Sequence, residues 1–290
     1  MTAPEPAPAA DARADRVDLH THSDVSDGLL APEDLVRRAA REGIGWLALT
    51  DHDTTDGVAR AQAAAPAGLR VVPGIELTAR VRPGPHGTVH LLGYGVDPAS
   101  PRLAAAARHN RLAKRAQVTA ILARLRAEER IDVPLAEVLG GRGEDAYVGR
   151  NQVASALVRR NHAQDVRRAF RRFLDAKRVP EVDAVPAEEA VAALREAGGF
   201  VALAHPTDRD LDEHLGPLAR LGVEGLEVWR PRAVGHHLER VVRAAARRGL
   251  VATAGSDWHG RHPDPPYGTW KAPRAHELAP ALARLTSRPA

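Results

Sequence analysis

From Val17 onward, short apolar runs alternate with polar turns and amphipathic stretches, which is the pattern of repeated βα units. The runs predict strands at "WLALT" (46–50), "LRVVPGI" (69–75) and "TVHLL" (88–92), and "APEDLVRRAAREGI" (31–44) predicts a helix. That helix has Pro32 at its first position, acids in its first turn, basic residues later and Gly43 at its end, each where backbone geometry and the helix dipole favour it.

After "GYGVDP" the rhythm changes. Helical periodicity predicts segments near 102–128, 148–160, 163–176 and 186–197 with no core strand among them, and "LGGRGEDAYVG" (139–149) reads as a loop. The βα rhythm then resumes with "GFVALA" (199–204), a helix near 210–221, "VEGLEVW" (223–229), a helix near 233–248 and "GLVATAG" (249–255). The expected organisation is a disordered Ala/Pro tail (1–16), an α/β domain in two parts (17–99 and 198–290), and a helical block (100–197) inserted between them.

Composition narrows the chemistry. Apolar residues make up 44% and aromatics 3%, so the core must be built from Leu, Val and Ala. The absence of Cys excludes disulfides, thiolate catalysis and Cys-ligated zinc, and fits a reducing cytoplasm. No run approaches the roughly 18 apolar residues of a membrane span. A formal charge of +4 is a mild excess that suits an anionic substrate and is no nucleic-acid-binding tail. The basic stretches "HNRLAKR" (109–115) and "VRRAFRR" (166–172) read as solvated helix faces. Neither a Gly-x-Ser-x-Gly elbow, a Walker A loop nor a dinucleotide fingerprint occurs.

The informative polar residues follow apolar strands: "VDLHTH", "LALTDHD", "VVPGIE", "VALAHP" and "VATAGSDWH" each deliver His, Asp or Glu at a strand end. In a barrel of parallel strands that end is where side chains distant in sequence build a site. His90, inside "TVHLLGY", would point into such a barrel. His20 and His22 are two apart, as are Asp257 and His259, and on extended backbone each pair shares a face. Burying His20, His22, His52, His90, His205 and His259 with Asp27, Glu76 and Asp257 would be costly without a compensating cation, so a metal centre is the economical reading. Imidazole and carboxylate without sulfur suit Mn, Fe, Zn, Co or Ni. The candidate ligands exceed one site of ~4, which calls for two or three ions with Glu76 as a bridge. Asp24, Asp51 and Asp53 are expected to support the ligands, orienting imidazoles or capping the following helix.

These motifs resemble those of the polymerase and histidinol phosphatase (PHP) family of metal-dependent phosphoesterases, from Val17 to about Trp270. Within it, "SDGLLAPEDLV", "LALTDHDTTDG", "VPGIELTA", "VHLLGYGVD", "ALAHP" and "GSDWHG" are similar to the branch of nucleoside 3',5'-bisphosphate phosphatases and 5'-to-3' trimming ribonucleases. The resemblance implies a distorted TIM-like barrel of about seven strands, an α/β fold with a helical cap insertion. It implies that His20, His22, Glu76 and Asp257 hold one ion, that Glu76, His90 and His205 hold a second, and that Asp27, His52 and His259 hold a third. Manganese is expected first, with iron or zinc as alternatives. The cap would bring basic residues over the substrate phosphate, and "GRNQ" sets Arg150 where the family has the Arg of a Gly-Arg-Pro-His motif. Gln152, Lys177 and Arg178 are the other expected substrate contacts. Asn151 and Gln152 replace the family's Pro and His, and Glu181 stands where an aromatic is usual.

The implied activity is hydrolysis of a phosphate monoester of a small nucleotide-like molecule by a hydroxide bridging the metals. Glu76 is among the metal ligands, Arg150 neutralises charge on the phosphoryl oxygens, and His205 or His22 is a candidate leaving-group acid. Duplex nucleic acid and membranes are not expected partners. The alternatives are cleavage of short RNA 5' ends, dephosphorylation of another metabolite (histidinol phosphate less so), and a non-enzymatic regulatory module. The last is disfavoured because no expected ligand is missing.

Overall fold

Each of these apolar runs forms a strand in the computed structural model, which describes residues 15–82, 87–231, 233–260, 267 and 270–286. Residues 1–14, most of the expected tail, lie outside the described residues. The strands β1 (Arg16–Thr21), β2 (Ile44–Leu49), β3 (Arg70–Arg80), β4 (Thr88–Tyr94), β5 (Phe200–Leu203), β6 (Gly225–Trp229) and β7 (Val251–Ala254) make one seven-stranded sheet in sequence order. Continuous pairing does not join β7 to β1. The sheet nevertheless curves until Thr21 bridges Trp258, and Asp257 N donates to His20 O at 2.9 Å just beyond β7. This is the distorted TIM-like α/β barrel expected, with its seam at the strand ends that carry the histidines.

The strand directions correct one expectation. β1, β2 and β3 run parallel, as do β5, β6 and β7, but β4 is antiparallel to both neighbours. The cause is the short link from Arg80 to Thr88, which is too brief for a crossover helix and joins β3 to β4 as a hairpin. β3 also runs five residues further than its apolar core suggested, pairing Arg80 with Thr88 and Thr78 with His90.

Because β4 turns back, the chain leaves it at the far end of the barrel. Helix α3 (Pro101–Glu129), which follows α1 (Pro32–Arg41) and α2 (Val58–Ala63), brings it back. At 29 residues α3 is ~43 Å long. Ser100 caps its start by accepting Leu103 N, and Arg130 ends it in the left-handed region at φ 55°. Its first turns bury Leu103, Ala106 and Ala107 against α7 (Ala187–Glu196) on the barrel wall. Its later turns bury Val118, Ile121 and Leu125 in a separate core shared with α4 (Leu135–Leu139), α5 (Arg150–Arg159) and α6 (Val166–Phe173). One helix therefore carries a second hydrophobic cluster above the barrel. After β5 the chain continues through a π-helical turn (Asp210–His214) into α8 (Leu215–Leu221), then α9 (Gly235–Arg248) and α10 (Ala279–Thr286). No helix among the described residues is long and apolar enough to cross a membrane.

Candidate metal centre

β1 is buried on both faces, with Val17 and Leu19 on one and His20 and His22, both fully buried, on the other. Opposite them, β3 presents Glu76, also fully buried. Its backbone is tied to the loop after β2, since Asp53 N donates to Glu76 O at 3.0 Å and Glu76 N to Asp51 O at 3.2 Å. Glu76 is the hub. Its Oε2 lies 3.2 Å from His20 Nε2, 3.3 Å from His22 Nε2 and 2.9 Å from His52 Nδ1. Its Oε1 lies 2.8 Å from both His90 Nδ1 and His205 Nε2.

Asp257 and His259 close the ring from beyond β7. Asp257 Oδ1 is 3.6 Å from His20 Nε2 and 3.4 Å from His22 Nε2. Asp27 Oδ1 is 3.2 Å from His259 Nε2 and 3.8 Å from His52 Nε2. Three groups of ligand-type atoms result: His20, His22, Glu76 and Asp257; His52, Glu76 and His90; and His22, Asp27, His52 and His259. These groups hold eight of the nine expected ligands, with His22, His52 and Glu76 each in two of them; the ninth, His205, lies outside the groups and meets Glu76 Oε1 at 2.8 Å. Asp53, His205 and Asp257 have positive φ (50°, 27° and 53°), a strain that non-glycine residues hold only where surrounding contacts enforce it.

The donor set fits divalent cations. His20 Nε2, His22 Nε2, His52 Nδ1 and Glu76 Oε2 are buried and converge within ion-pair range, yet form no hydrogen bond. The electrostatics express the same demand. Burial alone would raise Glu76, but His52, His20 and His90 hold it well below the usual carboxylate range. Burial opposes charge on His259, yet Asp27 outweighs it and lifts the imidazole to about 10. Burial, His259 and His52 together push His22 down to about 3. Carboxylates that force neighbouring imidazoles to stay charged will accept metal cations in exchange for those protons.

The surrounding carboxylates do different work from that expected of them. Asp51 accepts Ser23 N at 2.7 Å, Ser23 Oγ at 2.5 Å and Ser26 Oγ at 2.6 Å, so it orders the loop that carries Asp27 and touches no imidazole in these bonds. Asp53 accepts Thr78 N at 2.8 Å and Asn110 Nδ2 at 2.9 Å, tying α3 to the hairpin. Asp24 is exposed, with its amide bonded to Leu30 O. The carboxylate that does orient an imidazole is Glu227 on β6, 2.9 Å from His20 Nδ1, with its other oxygen accepting His205 N at 2.7 Å. The sequence reading missed it, although an acid inside the apolar run "VEGLEVW" is the same signal that singled out His90.

A cavity of about 700 Å³ opens above the ring, reaching Asp27, His52, His90 and His205. The cap supplies Lys114, Tyr147 and Arg150 to its wall, and the β3–β4 hairpin supplies Arg80 and Arg82. Tyr147 stacks on His52 with centroids 5.3 Å apart, and Arg150 lies over the Phe170 ring at 5.6 Å. Lys114 belongs to a stretch expected to be a solvated face, but it is half-buried in the cavity wall, and burial lowers its pKa. Other expected contacts lie elsewhere. Gln152 is buried, accepting Gly149 N at 2.9 Å and donating to Ser26 O at 2.8 Å. Lys177 and Arg178 are exposed outside the cavity wall, and Arg178 pairs with Glu129 at 2.8 Å. Both depend on how the cap folds, which local sequence does not encode.

Known proteins resemble this chain in sequence and in fold. A family model for the PHP domain matches residues 18–129. The 3',5'-nucleoside bisphosphate phosphatase of Chromobacterium violaceum is 35% identical over 84% of this chain and 87% of its own. The phosphoribosyl 1,2-cyclic phosphate 1,2-diphosphodiesterase of Eggerthella lenta is 33% identical over 88% of this chain and 98% of its own. Among solved structures, a chain from Bifidobacterium adolescentis described as a metal-dependent phosphoesterase superposes with a TM-score of 0.79 at 30% identity, covering 92% of this chain and 96% of that one.

Proposed function

The chain belongs to the PHP family of metal-dependent phosphoesterases, and on that premise we propose that it removes a phosphate monoester from a small nucleotide-like molecule, with a nucleoside 3',5'-bisphosphate as the first candidate. The observation that carries this reading is Glu76, fully buried, with both oxygens ringed by five imidazoles beneath a cationic cavity.

In this reading His20, His22, Asp27, His52, Glu76, His90, His205, Asp257 and His259 hold two or three divalent ions, manganese first among them. Such ions, when bound, activate water and neutralise charge on the phosphoryl oxygens. The protein's own contribution is placement. Arg150 and Lys114 project from the cap into the cavity, where burial strengthens their hold on the phosphate of the substrate. His205, at the cavity wall with Nε2 on Glu76 Oε1, is the candidate leaving-group acid. Phe170, half-buried in the cavity wall, offers an aromatic surface to a base. A cytoplasmic setting suits a cysteine-free enzyme of this kind.

The preference for a doubly phosphorylated substrate is supported by β3. Arg80 shares a face with Glu76, and four residues of strand separate them, ~13 Å at ~3.3 Å per residue. Arg80, whose Nε donates to Ala184 O at 3.3 Å, and Arg82 line the same cavity and are the proposed site for the second phosphate. The test is phosphate release from a panel of nucleoside 3',5'-bisphosphates, nucleoside monophosphates, 5'-phosphorylated oligonucleotides, phosphoribosyl cyclic phosphate and other sugar phosphates, compared by kcat/KM. The reading expects the bisphosphates to lead. A lead for oligonucleotides or for a singly phosphorylated metabolite would overturn it.

A further inference from the structure

The two residues that depart from the family's Gly-Arg-Pro-His motif do not stand idle at the cavity edge. They grip the loop that carries Asp27. Asn151 Nδ2 donates to Asp27 Oδ2 at 2.7 Å. Gln152 Nε2 donates to Ser26 O at 2.8 Å, and Arg142 Nη1 donates to the same carbonyl at 2.6 Å. These contacts join residues more than a hundred apart in sequence, and they cross from the cap to the barrel. From below, Asp51 holds Ser23 and Ser26 of the same loop.

We infer that Asn151 is a positioning residue for the ligand set His22, Asp27, His52 and His259, so that the affinity of this set for its ion depends on the docked cap. The inference rests on the reading of Asp27 as a metal ligand. With Oδ2 engaged by the amide, Asp27 is fixed in the rotation that turns Oδ1 toward His259 and His52, at 3.2 and 3.8 Å. A carboxylate free to rotate would lose orientational entropy on binding an ion, whereas one already held by a hydrogen bond does not. Arg150 precedes Asn151 at the start of α5, so one short segment contacts both the cavity and the metal ligand. Proline, the family's residue at this position, carries no donor to make the bond.

The experiment is equilibrium binding of Mn²⁺ to the metal-stripped full chain, by calorimetry and by metal analysis, for wild type, Asn151→Ala and Asp27→Asn. Asn151→Ala is expected to weaken one class of site by about 10- to 100-fold, the range for partners that orient metal ligands, and to leave the remaining sites unchanged. Asn151→Pro is expected to do the same, and melting of the stripped proteins checks that both variants are folded. If Asn151→Ala binds like wild type while Asp27→Asn loses an ion, the positioning role is wrong and the ligand reading stands. If Asp27→Asn keeps the full complement, the ligand reading fails and takes the inference with it.

Discussion

Glu227 Oε1 lies 2.9 Å from His20 Nδ1, deep in the barrel, which leaves Nε2 of the same ring turned toward Glu76 and Asp257. A carboxylate behind an imidazole fixes both its ring orientation and its tautomer, and strengthens it as a ligand. Glu227→Gln should therefore lower Mn²⁺ affinity by ~10- to 100-fold, with activity recovering as metal is added in excess. Wild-type affinity in the variant would show that this contact is merely packing.

Metal removal should cost stability. The ring buries carboxylates and imidazoles that strongly shift one another's protonation. A ligand at a hundred times its dissociation constant adds about 2.7 kcal/mol to the folded state. For a chain of this size that is a rise in Tm on the order of 4–5 °C on adding Mn²⁺ to stripped protein. Calorimetric melts with and without the ion check it, and identical melts would count against metal binding in the native state.

The cap separates residues that touch the cavity from residues that support it. Arg150→Ala should lower kcat/KM by about a hundredfold, the usual scale for losing a group that stabilises transition-state charge. Lys177→Ala should leave kcat/KM at its wild-type value, because Lys177 is exposed away from the cavity wall. Equal losses in the two variants would mean that the cap closes in a different arrangement on substrate.

Gln152→His, the change toward the family's motif, should act on folding. Gln152 is buried and makes two hydrogen bonds from its terminal amide, and an imidazole, with only one ring nitrogen that far from the backbone, keeps one of them in place. Leaving one partner unsatisfied costs ~1–3 kcal/mol, readable as a lower urea midpoint, with the order of preference among substrates unchanged. A reordered preference with an unshifted midpoint would contradict this.

The legible part of the site was the part carried by local pattern. His20, His22, His52, His205 and Asp257 each follow an apolar run, so strand periodicity brought them to one barrel end without any knowledge of pairing. Other features arise from contacts that periodicity does not encode. The reversal of β4 depends on a short link, and His90 reaches the ring despite it because β3 and β4 pair Thr78 with His90 near Glu76. Lys114, Tyr147 and Gln152 take their roles from where the cap core docks, and that core is built from residues between Val118 and Leu174. Glu227 was legible but overlooked, since one acid in an apolar strand looks like an edge residue until a histidine is found 2.9 Å away.

Close packing behind the ring gives a further check. A Cβ at Gly255 would lie 2.1 Å from His20 Cβ and 2.8 Å from Glu227 Oε1. Gly255→Ala should destabilise the fold by ~1–3 kcal/mol or more and weaken metal binding with it, as urea melts and Mn²⁺ titration would report. A variant with wild-type melts and affinity would mean that β7 stands further from β1 than described.

In the proposed function, Glu76 organises a polynuclear metal centre that hydrolyses phosphate esters. The most direct test of this is the manganese bound per chain, measured alongside hydrolysis of a simple aryl phosphate, in wild type and in Glu76→Gln. About two to three ions are expected in wild type, fewer in the variant, and loss of hydrolysis with them. Equal metal content and equal hydrolysis in the two proteins would contradict it.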